Sequence, residues 1–525
     1  MKIFVCQIKP NVGDLSGNFK KITQLYDEAE KVNADICLLP ELAVSGYMAG
    51  DLFLQTGFID DVCIVNSKLI AMTRKTCLML PTIIYEDGKL YNGVIAAQDG
   101  KIIGKTSKKE LPNYGIFDEK RYFVQGVAAI ITVNNVKIGV PICEDIWFDN
   151  VCQQLKNNGA KLFLVPNASP YEKGKFEKRV QVIQKIYQQT NIPIIYCNQV
   201  LGHDGIIFDG KSLCFDGSLK IIGKSFEVDQ QLVQFKNNQF KADQYYSANF
   251  DSYDDVLAAM ILGLRDYVHD NGFNKVVIGL SGGIDSAIVA YIAASALGAD
   301  NVFTFMLPTK FTSQESVDDA QELANSLSIN LKTIDISKIL DAFTVELNIT
   351  DDSSLTYQNL QSRIRGTILM AQANMLSALL ITTGNKSEYA TGYATIYGDM
   401  NGAFNPIKDL YKTEIFALAN YINKDKIFIP KQIITKPPSA ELAHNQKDSD
   451  SLPDYFILDQ ILEDHIENNM SYSLLVKKYN TELVDKIIDL VKKAEFKRKS
   501  SALGTKISKT NFEKDRRFPT TNFYK

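Results

Sequence analysis

Val276-Val277-Ile278-Gly279-Leu280-Ser281-Gly282-Gly283-Ile284-Asp285-Ser286 is the stretch on which the fold of this chain turns. An apolar run of strand length enters a glycine- and serine-rich turn, and a helical segment rich in Ala and Ile follows. Such a turn is an anion site. Its glycines let backbone N–H groups point inward, its serines add hydroxyl donors, and the helix N-terminus adds the positive end of a dipole. Asp285 would repel a phosphate unless a cation stood between them, which predicts Mg²⁺. The plainer alternative is a strand–helix turn with Asp285 as an ordinary helix cap. A Walker loop fails on spacing. Gly104-Lys105-Thr106 and Gly223-Lys224-Ser225 have its ending, but no glycine stands five positions before either final glycine.

Outward from this stretch, 275–280, 301–307 and 331–336 read as strands, with helices starting near Asp285 and Ser313. Short parallel strands joined by helices predict a doubly wound sheet with its site at the strands' C-terminal ends. The remainder of the second half reads mainly as helix. In the first half, strands are expected at 2–8, 36–39, 77–84, 137–143, 161–165 and 192–200, and hairpins at Asp99-Gly100 and Asp216-Gly217. Val180, Ile183 and Ile186 recur at helical spacing between the last two of those strands. This mixture predicts sheets covered by helices. The chain turns polar between 226 and 255, so the expected division is a domain over 1–240, a linker over 241–255 and a second domain over 256–525.

A chain of 525 residues, 45% hydrophobic and 22% charged, fits two or three globular domains. A net charge of −4 lacks the basic footprint of a nucleic-acid-binding protein. No apolar run approaches a membrane span, and the first residues lack a signal-peptide pattern, so a soluble cytoplasmic protein with no membrane partner is expected. All eight cysteines lie within the first 214 residues and none forms a CxxC pair, which argues against a disulfide framework or a zinc site. With only four histidines, catalysis must lean on other acid–base groups.

The Ser281–Ser286 string resembles the pyrophosphate loop of the N-type ATP pyrophosphatases, which adenylate a substrate and release pyrophosphate. NAD, GMP and asparagine synthetases share that loop. Further strings resemble the NAD synthetase pattern: Asn359-Leu360-Gln361-Ser362-Arg363, Thr383-Gly384-Asn385-Lys386-Ser387-Glu388, Tyr397-Gly398-Asp399, Asn405 to Glu414, and Lys436-Pro437-Pro438-Ser439-Ala440-Glu441-Leu442. The resemblance implies that Ser281, Gly282, Gly283, Ile284, Asp285, Ser286, Leu307, Thr383, Lys412 and Ser439 bind ATP. It implies that Asp285 and Glu388 hold Mg²⁺, and that Asn359, Arg363, Glu388, Asp399 and Lys497 bind the dinucleotide deamido-NAD⁺. The basic tail from 495 to 525 resembles the family's C-terminal segment, which closes over the substrate.

The first half carries Leu38-Leu39-Pro40-Glu41-Leu42, Lys108-Lys109-Glu110-Leu111-Pro112-Asn113-Tyr114 and Gly139-Val140-Pro141-Ile142-Cys143-Glu144-Asp145. Glu41 and Cys143 each stand at the end of an apolar run, where strands can bring them to one place. A carboxylate base, a cation and a thiol suit covalent amide cleavage: Glu41 as base, Lys108 as cation, Cys143 as nucleophile. These strings resemble the nitrilase superfamily, in particular the glutaminase domain of glutamine-dependent NAD synthetases. The fold implied is a nitrilase-like α-β-β-α sandwich followed by the doubly wound α/β domain. Lys108 rather than Lys109 matches the family's spacing to Leu-Pro. Tyr114, Glu119 and Ser169 are implied to assist glutamine binding. The whole resemblance implies an enzyme that takes glutamine, ATP and deamido-NAD⁺, works with Mg²⁺, and assembles as a homo-oligomer. The rival readings are an amidotransferase with another adenylated acceptor and a non-catalytic nucleotide-binding regulatory protein.

Overall fold

The structure is a computed structural model that describes residues 1–247, 252–444 and 446–524. It separates into two compact units, one of residues 1–201 and 207–252, the other of 202–206 and 253–525.

Two large sheets make up the body of the first unit. One runs Gln239–Ala242, Asp229–Lys236, Lys2–Gln7, Ile36–Leu38, Cys77–Glu86, Lys89–Gln98, Lys101–Ser107 in spatial order. The other runs Leu219–Ile221, Leu213–Phe215, Ile194–Asn198, Leu162–Asn167, Val136–Gly139, Ile130–Val133. The strand Leu162–Asn167 shows why they stack. Successive side chains point to opposite faces, so Leu162 and Leu164 join Ile3, Val5, Ile36 and Val94 of the other sheet in one core. Phe163 and Val165 turn the other way, onto Val180, Ile183 and Ile186 of the helix Lys175–Thr190. With Leu15–Lys31 and Thr56–Ala71 contacting the first sheet, the unit is an α-β-β-α sandwich.

The second unit is built on six strands in the order Asn330–Thr333, Val302–Met306, Val276–Gly279, Leu379–Ile381, Phe404–Asn405, Leu503–Gly504, every neighbouring pair parallel. In chain order this is 3-2-1-4-5-6, the doubly wound arrangement. Its order reverses at Val276–Gly279, so the loop after that strand stands where such folds open a crevice. Among the described residues no helix is long and apolar enough to cross a membrane.

Several expected boundaries move. The strand expected over 137–143 stops at Gly139. Pro141 has no N–H to give a ladder, and Cys143 opens a 3₁₀ turn, Cys143–Trp147. Gln230-Gln231 lie in Asp229–Lys236, a paired strand in which Gln230 is exposed and Gln231 buried, and Gln239–Ala242 pairs beside it. The helix Tyr253–Asp270 begins within the expected linker, of which 248–251 lie outside the described residues. Gly223-Lys224-Ser225 lies beyond the Leu219–Ile221 strand of the Asp216-Gly217 hairpin. The eight cysteines are free and all but Cys63 are buried.

Candidate functional site

Three loops of the first unit converge on Lys108. Its ammonium donates to Glu41 Oε1 and Glu119 Oε1, both at 2.7 Å, and all three side chains are buried. Burial works against its charge, but the charges of Glu119 and Glu41 outweigh that and hold it well above the usual lysine range. Lys109 is engaged through its backbone instead. Its N–H and that of Glu110 donate to Asp145 Oδ1 at 3.0 and 2.8 Å, while Asp145 Oδ2 accepts from Ile142 N–H at 2.9 Å. Asp145 thus ties the lysine loop to the Cys143 turn.

Glu41 is held from three sides. Asn92 Nδ2 donates to Oε1 at 2.7 Å beside Lys108, and Ala168 N–H donates to Oε2 at 3.0 Å. Cys143 sits in left-handed backbone, φ 42°, which few non-glycine residues adopt without a constraining surround. Burial pushes its thiol well up and the Glu41 charge adds to this, with Lys108 and Ala168 N–H pulling the other way. The resting sulfur is therefore a thiol, and attack requires a base to take its proton.

Glu119 Oε1 also accepts from Tyr47 Oη at 2.7 Å. Burial raises this carboxyl from an ordinary 4.5 to about 7, against the pull of Lys108 and with the Glu41 charge assisting. The folded chain then binds more protons here than the unfolded chain between about pH 4.5 and 7. By linkage, this group's contribution to stability falls as pH rises through that window. The melting-temperature advantage of the parent over Glu119→Gln should shrink as buffers go from pH 5 to 7, and a constant or widening gap would refute the assignment.

Tyr114, half exposed, donates to both oxygens of Glu144 at 3.1 Å. Ser169 is buried, and its hydroxyl accepts from Arg179 Nε at 3.0 Å and shares a hydrogen bond with Tyr196. Asn92 and Arg179 carried no sequence signal of their own, and Glu144 and Asp145 stood in the quoted Cys143 string without an assigned role. They are ordinary polar residues until the fold turns them inward.

In the second unit, a cavity of about 300 Å³ opens at the reversal point of the sheet. Ser281, Gly282, Gly283, Ile284, Asp285, Ser286, Leu307, Thr383, Lys412 and Ser439 all line it, with Glu388 and Asp399. The loop is wired to itself: Ser281 N–H donates to Ser286 Oγ at 3.2 Å, and Ser286 Oγ donates to Gly283 O at 3.0 Å. Gly282 has φ 76°, and a Cβ there would lie 2.3 Å from Ser316 O, so both conformation and space demand glycine. Gly283 precedes the helix Ile284–Leu297 without a side-chain cap, leaving first-turn N–H groups for an anion.

Lys412 bridges the two carboxylates. It donates to Asp285 Oδ2 and lies 3.8 Å from Glu388 Oε1. Burial works against its charge, yet Asp285 and Glu388 raise it to about 12. Burial and the nearby Asp285 charge push Glu388 well above the carboxylate range. Asn385, quoted in its string without an assigned role, links the pair. It donates to Asp285 Oδ1 at 3.0 Å and forms a capping box with Glu388. Two partly buried carboxylates sharing one ammonium present an excess of hard oxygen donors, the donor chemistry that suits Mg²⁺.

Asn359, Arg363 and Lys497 do not line this cavity. They hold the adjoining segment 392–396 instead. Asn359 Oδ1 accepts from Thr395 Oγ1 at 2.9 Å, Arg363 Nε donates to Ile396 O at 3.3 Å, and Lys497 donates to Gly392 O and Ala394 O at 2.7 Å. Asp399 accepts from Thr395 N–H at 2.6 Å. The basic tail spends much of its charge internally: Arg498 on Glu495, Lys506 on Asp515, Arg516 on Glu495. Arg365 and Lys436 also line the cavity; sequence reading passed over Arg365 and quoted Lys436 without giving it a role.

Two family models match the chain, a carbon–nitrogen hydrolase over residues 2–235 and an NAD synthase over 256–501. The class so defined is an amide-cleaving unit fused to a nucleotide-dependent synthetase. A relative from Acinetobacter baylyi, a glutamine-dependent NAD(+) synthetase, is 40% identical over 99% of this chain and 98% of its own. One from Thermotoga maritima with the same name is 38% identical over 100% and 99%. The solved structure of glutamine-dependent NAD⁺ synthetase from Acinetobacter baumannii in complex with ADP matches at a TM-score of 0.80 and 36% identity, covering 99% of this chain and 98% of that one. A Cytophaga hutchinsonii structure, at a TM-score of 0.86 and 23% identity, shares the fold. The chain belongs to the glutamine-dependent NAD(+) synthetase family.

Proposed function

We propose that this chain makes NAD⁺ from deamido-NAD⁺, ATP and glutamine, with glutamate, AMP and pyrophosphate as the other products. The observation that carries the reading is the coexistence of a buried Glu41–Lys108–Cys143 cluster in one unit and a glycine-loop cavity with paired carboxylates in the other.

In the first unit Glu41 takes the Cys143 proton as sulfur attacks the glutamine amide carbon. Lys108 offsets the negative charge of the tetrahedral intermediate. The C–N bond then breaks, ammonia leaves with a returned proton, and water cleaves the thioester to glutamate. Glu119 and Tyr47 keep Lys108 in place, and Tyr114 and Glu144 face the incoming amino acid. Ser169 acts through the wall it builds, since its hydroxyl is already engaged on both sides.

In the second unit Ser281–Ser286 cradle the leaving pyrophosphate, Lys412 offsets charge developing on it, and Thr383 and Ser439 border the phosphates. Leu307 lines the nucleotide wall. Asp285 and Glu388 would hold Mg²⁺, whose chemistry is to neutralise the phosphates as the nicotinate carboxylate attacks the α-phosphorus. Ammonia then displaces AMP from the adenylate. Asn359, Arg363, Asp399 and Lys497 shape the dinucleotide site by fixing segment 392–396. The family resemblance supports a cytoplasmic homo-oligomer. With ATP, glutamine and deamido-NAD⁺, the purified chain should release AMP and NAD⁺ in equal amounts. Release of ADP, or turnover with a different acceptor alone, would overturn the reading.

A further inference from the structure

Arg179 is the largest fully buried side chain of the described residues, at 1% exposure. It lies on the apolar face of the helix Lys175–Thr190, in line with Phe176, Val180, Ile183 and Ile186. In sequence Lys178-Arg179 reads as a solvated basic pair, but the fold turns Arg179 inward. A buried ion pair is poor value for stability alone, because burying two charges costs about what their attraction returns. Its geometry shows what it holds instead. Nη1 donates to both oxygens of Asp209 at 2.7 and 3.0 Å, which fixes the guanidinium. Three further bonds go to one short segment: Nε to Ser169 Oγ at 3.0 Å, Nη2 to Ser169 O at 2.9 Å and to Pro170 O at 2.7 Å. Asn198 grips the same segment from its other side, accepting from Ser169 N–H at 2.9 Å and donating to Ser169 O at 3.2 Å.

The residue just before this clamp is Ala168, whose N–H donates to Glu41 Oε2. Lys108 and Asn92 both hold the other oxygen, Oε1. The rotation of the Glu41 carboxylate therefore depends on where the 168–170 backbone stands, and that backbone depends on Arg179. We propose that Arg179, braced by Asp209, is a positioning residue for amide cleavage: it locks Ser169-Pro170 so that Ala168 N–H aligns the Glu41 carboxylate with the Cys143 thiol. The inference rests on the glutaminase reading above. Arg179 touches neither Glu41 nor the substrate, and it acts through the chain it clamps. A planar five-donor fork suits this task and a lysine does not, since one ammonium cannot reach a carboxylate, a hydroxyl and two carbonyls in fixed directions.

The test compares the full-length parent with Arg179→Lys and with the paired change Arg179→Met/Asp209→Leu, which removes both charges and leaves neither orphaned. Three readouts are taken: steady-state glutamine hydrolysis, thermal unfolding, and the pH dependence of Cys143 alkylation by iodoacetamide, followed by peptide mass. In Arg179→Lys the hydrolysis kcat should fall about tenfold to a hundredfold, the loss expected of a misplaced catalytic group, with KM within about threefold. The pH at which Cys143 becomes reactive should move upward. The paired variant should regain unfolding temperature relative to Arg179→Lys while its kcat stays low. Recovery of kcat along with stability in the paired variant would show a purely structural pair and overturn the inference. So would a change in KM alone, or an alkylation profile matching the parent's. A parent that fails to hydrolyse glutamine would instead overturn the proposed function, so the two failures are distinguishable.

Discussion

Cys143→Ala is expected to lose glutamine hydrolysis and glutamine-driven synthesis by about a thousandfold or more while still making product from added ammonium salt. In the proposed scheme the sulfur forms the only covalent bond between enzyme and substrate, so its removal deletes that route rather than slowing it. Gross unfolding is not the expected cause. Cys143 is buried at the head of a short turn, and alanine keeps a small apolar side chain there. Its left-handed backbone is already disfavoured for cysteine, so alanine adds no new conformational demand. Initial rates with glutamine and with ammonium, on the same preparation, separate the outcomes. Efficient use of glutamine by the variant would end the nitrilase-type assignment. Loss of both activities in a folded variant would show that Cys143 does more than release ammonia.

Asp285→Ala and Glu388→Ala should behave in the opposite way, abolishing synthesis from either nitrogen source while leaving glutamine hydrolysis measurable. The two carboxylates are joined through Asn385 and face one ammonium, Lys412. Removing either frees Lys412 from part of its countercharge and takes away one of the two oxygen donors proposed to hold Mg²⁺. Glu388→Ala also breaks the capping box at the helix Lys386–Thr391, so a thermal melt should accompany the rate measurement. Near-normal ammonia-driven synthesis by either variant would reduce that residue to a helix or loop cap.

The glycine loop was legible because every one of its residues does local work. Glycine supplies the φ of 76° at Gly282, serines wire the turn, and the helix that follows supplies the dipole. The doubly wound sheet could be read from Val276–Gly279 and Val302–Met306, whose apolar runs exceed any solvent-facing pattern. The strands Leu379–Ile381, Phe404–Asn405 and Leu503–Gly504 escaped notice because two or three residues cannot display a period. Local chemistry could not choose between Lys108 and Lys109. Only family spacing favoured Lys108, whose side chain meets Glu41 while Lys109 offers a backbone N–H to Asp145. Arg179 and Asn92 were invisible for a different reason. Their partners lie 30 and 51 positions away, and nothing in a linear sequence marks which polar residues will face inward.

The most direct test of the account supplies glutamine labelled with ¹⁵N at the side-chain amide, together with ATP, Mg²⁺ and deamido-NAD⁺, and weighs the dinucleotide product. NAD⁺ a single mass unit heavier, with the label in its carboxamide and AMP formed alongside, is the result the account predicts. Unlabelled NAD⁺, or labelled ammonia released with no labelled NAD⁺, would contradict it.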